Sequence, residues 1–177
     1  MMLLKPLRAL LAAVALLPLA APAQDGVGRR ELLVGQSIAL QGGRNPYAQA
    51  VQEGVLAYLN AVNERGGVHG RRIVLKTLDD DNKGAQAEAN ARALVQEHKV
   101  FILFGSIEGG PSTGVMKAAV ELGVPFFGPM AGSPTLRRPH QPLVFPVRAE
   151  HRDEFRALLE YARRTGATRA AFVRSDS

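Results

Sequence analysis

Beyond residue 30 the chain alternates between short apolar runs and longer stretches in which apolar residues recur at every third or fourth position. The runs have the length of β-strands, the periodic stretches the length of helices. Residues 30–37 predict a first strand centred on Leu32, Leu33 and Val34, followed by a loop rich in breakers, residues 38–46. A helix is expected from near Tyr47, because Val51, Val55, Tyr58, Leu59 and Val62 share one helical face. Gly66 and Gly67 end it. Residues 72–78 predict a second strand, closed by Asp79, Asp80 and Asp81. The next helix carries Ala87, Ala91, Leu94, Val95 and His98 on one face.

The most informative stretch is VFILFGSIEGGPSTG, residues 100–114. Residues 100–104 form a continuous apolar run, as expected of a parallel strand covered on both faces. Gly105 and Ser106 are expected to break it, and Pro111 to take the first position of a helix. Gly109 and Gly110 leave the backbone between them bare of side chains. Such a turn aims unpaired helix N–H groups at the C-terminal edge of the sheet, a place for a carboxylate; Ser112 and Thr113 add hydroxyls. The alternative is an ordinary strand-to-helix connection with glycines for tightness.

The remaining chain continues the alternation. Val115, Met116, Ala119 and Val120 are expected to face inward until Gly123 stops the helix. Residues 124–128 predict a fourth strand, and residues 143–148 a fifth, with Pro146 marking an edge or bend. A helix over residues 151–164 places Phe155, Leu158, Leu159 and Ala162 together, and residues 169–173 predict one more strand. The order defines an α/β fold, a doubly wound parallel sheet with right-handed crossovers.

Composition changes this picture at one end. Lys5 and Arg8 precede an apolar run, residues 9–20, and Ala21-Pro22-Ala23 supplies small residues at a cleavage site. Residues 1–23 are therefore expected to be a secretory signal peptide, too short to span a bilayer comfortably. There is no cysteine, hence no lipid-anchor cysteine, disulfide or thiolate metal site. The formal charge of +6 comes without a basic run interleaved with aromatics, so no nucleic-acid partner is expected.

Catalytic motifs are absent from the sequence: no G-x-x-x-x-G-K-S/T, no G-x-G-x-x-G in the first βα loop, and no G-x-S-x-G. The 4 His residues show no metal-ligand spacing. The three consecutive carboxylates cannot converge on one ion from a strand, and no second cluster completes an oxygen shell. They are read as a strand terminator favouring the next helix through its dipole, with Asp81 or Asn82 as N-cap. No enzyme activity, metal or cofactor is expected.

Several ordered segments carry a resemblance: LLVGQSIALQGG, AYLNAVNERGGVHGRRIVLKTLDDD, ALVQEHKVFILFGSIEGGPSTG and ELGVPFFGPMAGSPTLR. With them the chain resembles the N-terminal part of a type 1 periplasmic substrate-binding protein of the branched-chain-amino-acid-binding group, which serves ABC transporters. The resemblance implies two α/β lobes closing on a ligand about a hinge, in proteins about twice this long. It divides this chain into a signal peptide (1–23), an N-terminal ligand-binding lobe (24–148) and the start of a truncated second lobe (149–177). It implies a carboxylate site at Gly109, Gly110 and Ser112, beside Glu108. An inward Glu108 disfavours an anionic group and favours an amine or amide; an outward one is simply solvated. It places ammonium contacts at Met130, Ala131, Gly132 and Ser133, and an aromatic cover at Tyr47, whose other reading is packing at the helix start. The implied partners are a small-molecule solute (an amino acid, amide or related organic acid) and a membrane permease. A ligand-sensing domain of the same fold is the alternative, and a hydrolase on an α/β sheet a further one.

Overall fold

The structure, a computed structural model, describes residues 24–173. The expected signal peptide and residues 174–177 lie outside the described residues. Five strands form one sheet in the order β2-β1-β3-β4-β5. They are β1 (Glu31–Ile38), β2 (Arg72–Asp79), β3 (Ile102–Ser106), β4 (Phe126–Pro129) and β5 (Val144–Phe145). Every pairing is parallel. Helices α1 (Pro46–Glu64), α2 (Gly84–Gln96), α3 (Gly109–Leu122) and α4 (His151–Arg164) follow β1, β2, β3 and β5. This is the doubly wound α/β lobe that the sequence pattern predicts.

The main core lies on one face of the sheet. Leu103, Phe126 and Val144 pack there against Ala87, Ala91 and Leu94 of α2 and Val115, Ala118 and Ala119 of α3. Small residues on both helices let their backbones nearly touch. A Cβ at Gly114 would stand 2.2 Å from the carbonyl oxygen of Gly84, so only glycine fits. A smaller cluster on the opposite face holds Ile38, Ala48 and Ile107, with Val51 against it. There Asn45 caps α1, accepting from the Ala48 N–H at 3.1 Å and donating to the Ala39 carbonyl at 2.9 Å.

Several expectations shift. β3 runs through Gly105 and Ser106 rather than ending before them, with Gly105 at φ 59°, a conformation open to glycine. The following helix starts at Gly109 behind Glu108, so Pro111 stands at its third position; a proline is tolerated anywhere in a first turn whose N–H groups lack partners. The N-cap of α2 is Lys83, not Asp81 or Asn82, both of which take positive φ in the preceding turn. β5 shrinks to two residues before Pro146, and residues 169–173 form no strand, having no neighbour to pair with. Tyr58 and Val120, expected to face inward, are 68% and 40% exposed. Phe155, Leu158 and Leu159 share a face as predicted, yet α4 buries no residue.

Candidate functional site

Parallel α/β sheets present their loops and helix N-termini at the C-terminal ends of the strands. Three such segments meet here: the loop after β1, the β3–α3 turn and the loop after β4. The β3–α3 turn and the β4 loop touch directly, since a Cβ on Gly109 would lie 3.8 Å from that of Ser133. A chain of hydroxyls bridges them. Ser133 Oγ lies 2.8 Å from Thr135 Oγ1, which lies 3.1 Å from Thr113 Oγ1. Thr113 in turn donates to the Gly109 carbonyl at 2.8 Å.

The α3 N-terminus has no side-chain cap, because Glu108 at the cap position makes no such bond. Glu108 and Gly110 are exposed, Gly109 half-buried, and nothing comes within 4 Å of a Cβ placed on Gly110. Ser112 sits beneath this turn. Its backbone N–H closes the helix onto the Glu108 carbonyl at 2.9 Å, and its side chain is wholly buried. The Ser112 hydroxyl has no hydrogen-bond partner, nor has that of Ser106 at the end of β3. A buried hydroxyl without a partner costs stability, and among the described residues these two are the buried side-chain polar atoms left without one.

The β4 loop is held from outside. Arg137 donates from Nη1 to the carbonyls of Ala131 at 3.2 Å and Ser133 at 2.9 Å, and from Nη2 to that of Arg148. The remaining carbonyl, of Gly132, accepts from the His151 N–H at 3.0 Å. The His151 ring lies over Gly132, where any side chain would meet it at 2.5 Å. Ala131 and Gly132 are buried as a result, while Met130 and Ser133 remain half-buried. Met130 also closes one end of an open trough of about 520 Å³ beneath α1, lined by Val51, Gly54, Val55, Tyr58 and Phe104.

Tyr47, 54% exposed in the first turn of α1, faces the same rim. Arg148, just beyond β5, lies within electrostatic reach of both Tyr47 and Glu108. Its main partner is Glu154, through Nε at 2.6 Å and Nη2 at 2.9 Å. That bidentate bond holds Arg148 above the ordinary arginine range and Glu154 below the ordinary carboxylate range.

A second polar group lies at the neighbouring strand ends. Asp80 is fully buried and accepts from Ser37 Oγ at 2.9 Å and from the Asn82 N–H at 3.1 Å. Asn90 of α2 donates to Ser37 Oγ at 3.3 Å and to the Asp79 carbonyl at 3.0 Å. Burial pushes the Asp80 carboxyl up. Burial also raises Asp79, but the N–H groups of Gly42, Asp81 and Gln41 outweigh it and bring Asp79 below its usual value. The acidic run thus ties the β1 and β2 loops together. Among the described residues no cluster of His, Cys, Asp and Glu could hold a metal.

The structure therefore brings Gly109 and Ser133 together, sets Tyr47 and Glu108 about Arg148, and buries Ser112, Ala131 and Gly132 under the rim. Arg137, Thr135 and Arg148 escaped the sequence reading. Their roles depend on long-range contacts that no local spacing announces; Thr135 alone, two residues past Ser133, carried a local hint.

A helix-flanked parallel sheet with its loops open at the C-terminal rim defines the class of doubly wound α/β lobes, which take ligands at that rim where they bind them. The chain matches the Periplasmic binding protein family across residues 31–177 and belongs to it. It is 28% identical over 138 residues to the Leu/Ile/Val-binding protein BraC3 of Rhizobium johnstonii, covering 77% of this chain and 35% of the relative. A possible leucine/isoleucine/valine-binding protein from Rhodopirellula baltica superposes with a TM-score of 0.68 at 25% identity, over 82% of this chain and 38% of that one. A substrate-binding periplasmic protein from Ralstonia solanacearum gives 0.68 at 26% identity, over 76% and 38%. The Rhizobium relative and the Rhodopirellula structure are both named for binding leucine, isoleucine and valine. The chain spans about a third of the length of the curated relative.

Proposed function

We propose that this chain is an exported, periplasmic solute-binding protein that captures a small polar solute at the C-terminal rim of its sheet and passes it to an ABC importer. The solute is an amino acid, amide or related organic acid, held and released without chemistry. The supporting observation is the junction of the uncapped α3 turn with the β4 loop, above two buried hydroxyls whose hydrogen bonds are unspent. In this reading Gly109, Gly110 and Ser112 receive the solute's acidic end, and Met130, Ala131, Gly132 and Ser133 its other end. Glu108 sets charge selectivity at the mouth, and Tyr47 covers it. Residues 24–148 form the first lobe and residues 149–177 begin a second that closes over the cleft. Export follows removal of residues 1–23. The similarity to proteins named for leucine, isoleucine and valine makes those amino acids the first probes.

The test is calorimetric titration of residues 24–177 with L-leucine, L-isoleucine and L-valine, then with a panel of amides and organic acids. Saturable binding without product, weakened by Tyr47→Ala and Ser112→Ala, supports the reading. A folded protein that binds none of the panel, or that turns a solute over, overturns it.

A further inference from the structure

The first residues of the described structure form a clip onto the lobe. Residues 24–28 turn back along the start of β1. The Val27 N–H donates to the Gln24 carbonyl at 3.1 Å, the Leu33 N–H to the Gly26 carbonyl at 2.8 Å, and the Gly28 N–H to the Glu31 carbonyl at 2.9 Å. Gly26, at φ 72°, approaches the 99–101 backbone so closely that a Cβ would stand 2.4 Å from the Phe101 nitrogen. Asp25 pairs with Lys99 at 3.8 Å. All of these contacts use residues from Gln24 onward, so a chain cut after Ala23 keeps every one of them. Of Gln24 itself the clip uses the carbonyl, and the residue is exposed.

Removal of residues 1–23, the reading on which this inference rests, makes Gln24 the N-terminal residue. We propose that Gln24 of the exported chain is a modification site and cyclises to pyroglutamate. The neutral α-amino nitrogen attacks Cδ of its own side chain. The N–Cδ bond forms and the Cδ–Nε2 bond breaks. Nε2 leaves as ammonia, carrying one proton from the amine, and nothing is oxidised or reduced. An α-amino group has a pKa of about 7.7–8.0, so a neutral, attacking fraction is present near neutral pH.

The reaction suits the clip. Ring closure consumes the α-amino nitrogen and the side-chain amide and leaves the Gln24 carbonyl free to go on accepting from Val27. The product has no α-ammonium, the group that an aminopeptidase must grip. Loss of Gln24 would strip Val27 of its acceptor, so the lactam seals the clip at the residue where trimming would begin to undo it.

The test expresses the full chain, residues 1–177, in an exporting bacterium and recovers it from the periplasm. Intact mass and mass spectrometry of the tryptic 24–29 peptide read the N-terminus. An isotope-labelled 24–29 peptide with free glutamine, added at lysis, measures cyclisation during handling. Most chains are expected to start at Gln24, to be lighter by one ammonia well beyond the added peptide, and to resist an aminopeptidase that trims Gln24→Ala. Chains that start at Gln24 with a free amine, or cyclised no further than the added peptide, overturn the modification and leave the export reading standing. A start at any other residue overturns the cleavage reading and the proposal with it. A Gln24→Ala protein trimmed no faster than the wild type overturns the protective role.

Discussion

Replacing Gly114 by alanine tests whether the contact between α2 and α3 is set by backbone against backbone. An added methyl would stand 2.2 Å from the Gly84 carbonyl oxygen and 3.1 Å from the Glu88 nitrogen. Neither neighbour is a flexible side chain, so the helices must separate by about 1 Å to restore ordinary contact. Overpacking of this kind costs roughly 1–3 kcal/mol, and the separation also loosens Ala87, Ala91, Val115 and Ala118 across the same seam. Against this, alanine favours the helix by about 1 kcal/mol over glycine. The net expectation is a loss of about 1 kcal/mol, and of up to about 2 where the seam does not relax. Gly110→Ala in the same helix supplies the control: nothing lies within 4 Å of its added methyl, so propensity alone acts and gives a gain of up to about 1 kcal/mol. Urea unfolding followed by far-ultraviolet circular dichroism reads both. A Gly114→Ala protein as stable as Gly110→Ala would refute the close-approach argument, because the two differ only in what the methyl meets.

Other perturbations probe the polar groups. Ser112→Ala removes a buried hydroxyl with no partner and is expected to leave the urea midpoint unchanged or raised, even while solute binding weakens; a destabilised variant would show that the hydroxyl is bonded after all. Asn63 holds the Ile73 N–H and carbonyl at 2.8 and 2.9 Å, so Asn63→Ala is expected to cost about 1–3 kcal/mol, read as earlier hydrogen exchange of the Ile73 amide. The two shifted aspartates pull stability in opposite directions with pH. Asp80, raised in the folded state, contributes stability when protonated and loses it as pH rises through its folded pKa. Asp79, lowered, contributes above the unfolded value of 3.8 and loses that contribution as pH falls. Urea midpoints between pH 3 and 7 should therefore decline less toward acid in Asp79→Asn and less toward neutral pH in Asp80→Asn; identical profiles for both variants would contradict the assignment.

The sheet was legible in the sequence because a buried parallel strand needs an unbroken apolar run and its crossover helix needs a stripe. Leu103, Leu94 and Val115 obey those rules and occupy the core. The failures share one cause. Phe145, Tyr58, Leu158 and Val120 follow the same periodicity but have no neighbour to bury them, and periodicity records what a residue could pack against, not whether the partner is present. At the rim, Gly109 and Ser133 could be placed together by topology alone. The Arg137 bonds could not, because a guanidinium reaching from one loop to the carbonyls of another leaves no pattern in the order of residues. The inward turn of Asp80 escapes for a similar reason. Three aspartates in a row read as a strand terminator, and only the fold turns the middle one onto Ser37.

Arg137 has a mechanical consequence. One planar fork grips two carbonyls of the β4 loop and a third in the segment between β5 and α4, so the mouth of the lobe and its exit route behave as a single stiff bracket. With the His151 amide riveted to Gly132, that stiffness extends into the start of α4. Drawing residue 148 away from the β4 loop must break the guanidinium fork, and drawing residue 151 away must break its bond to Gly132, so the start of α4 travels with the mouth rather than apart from it.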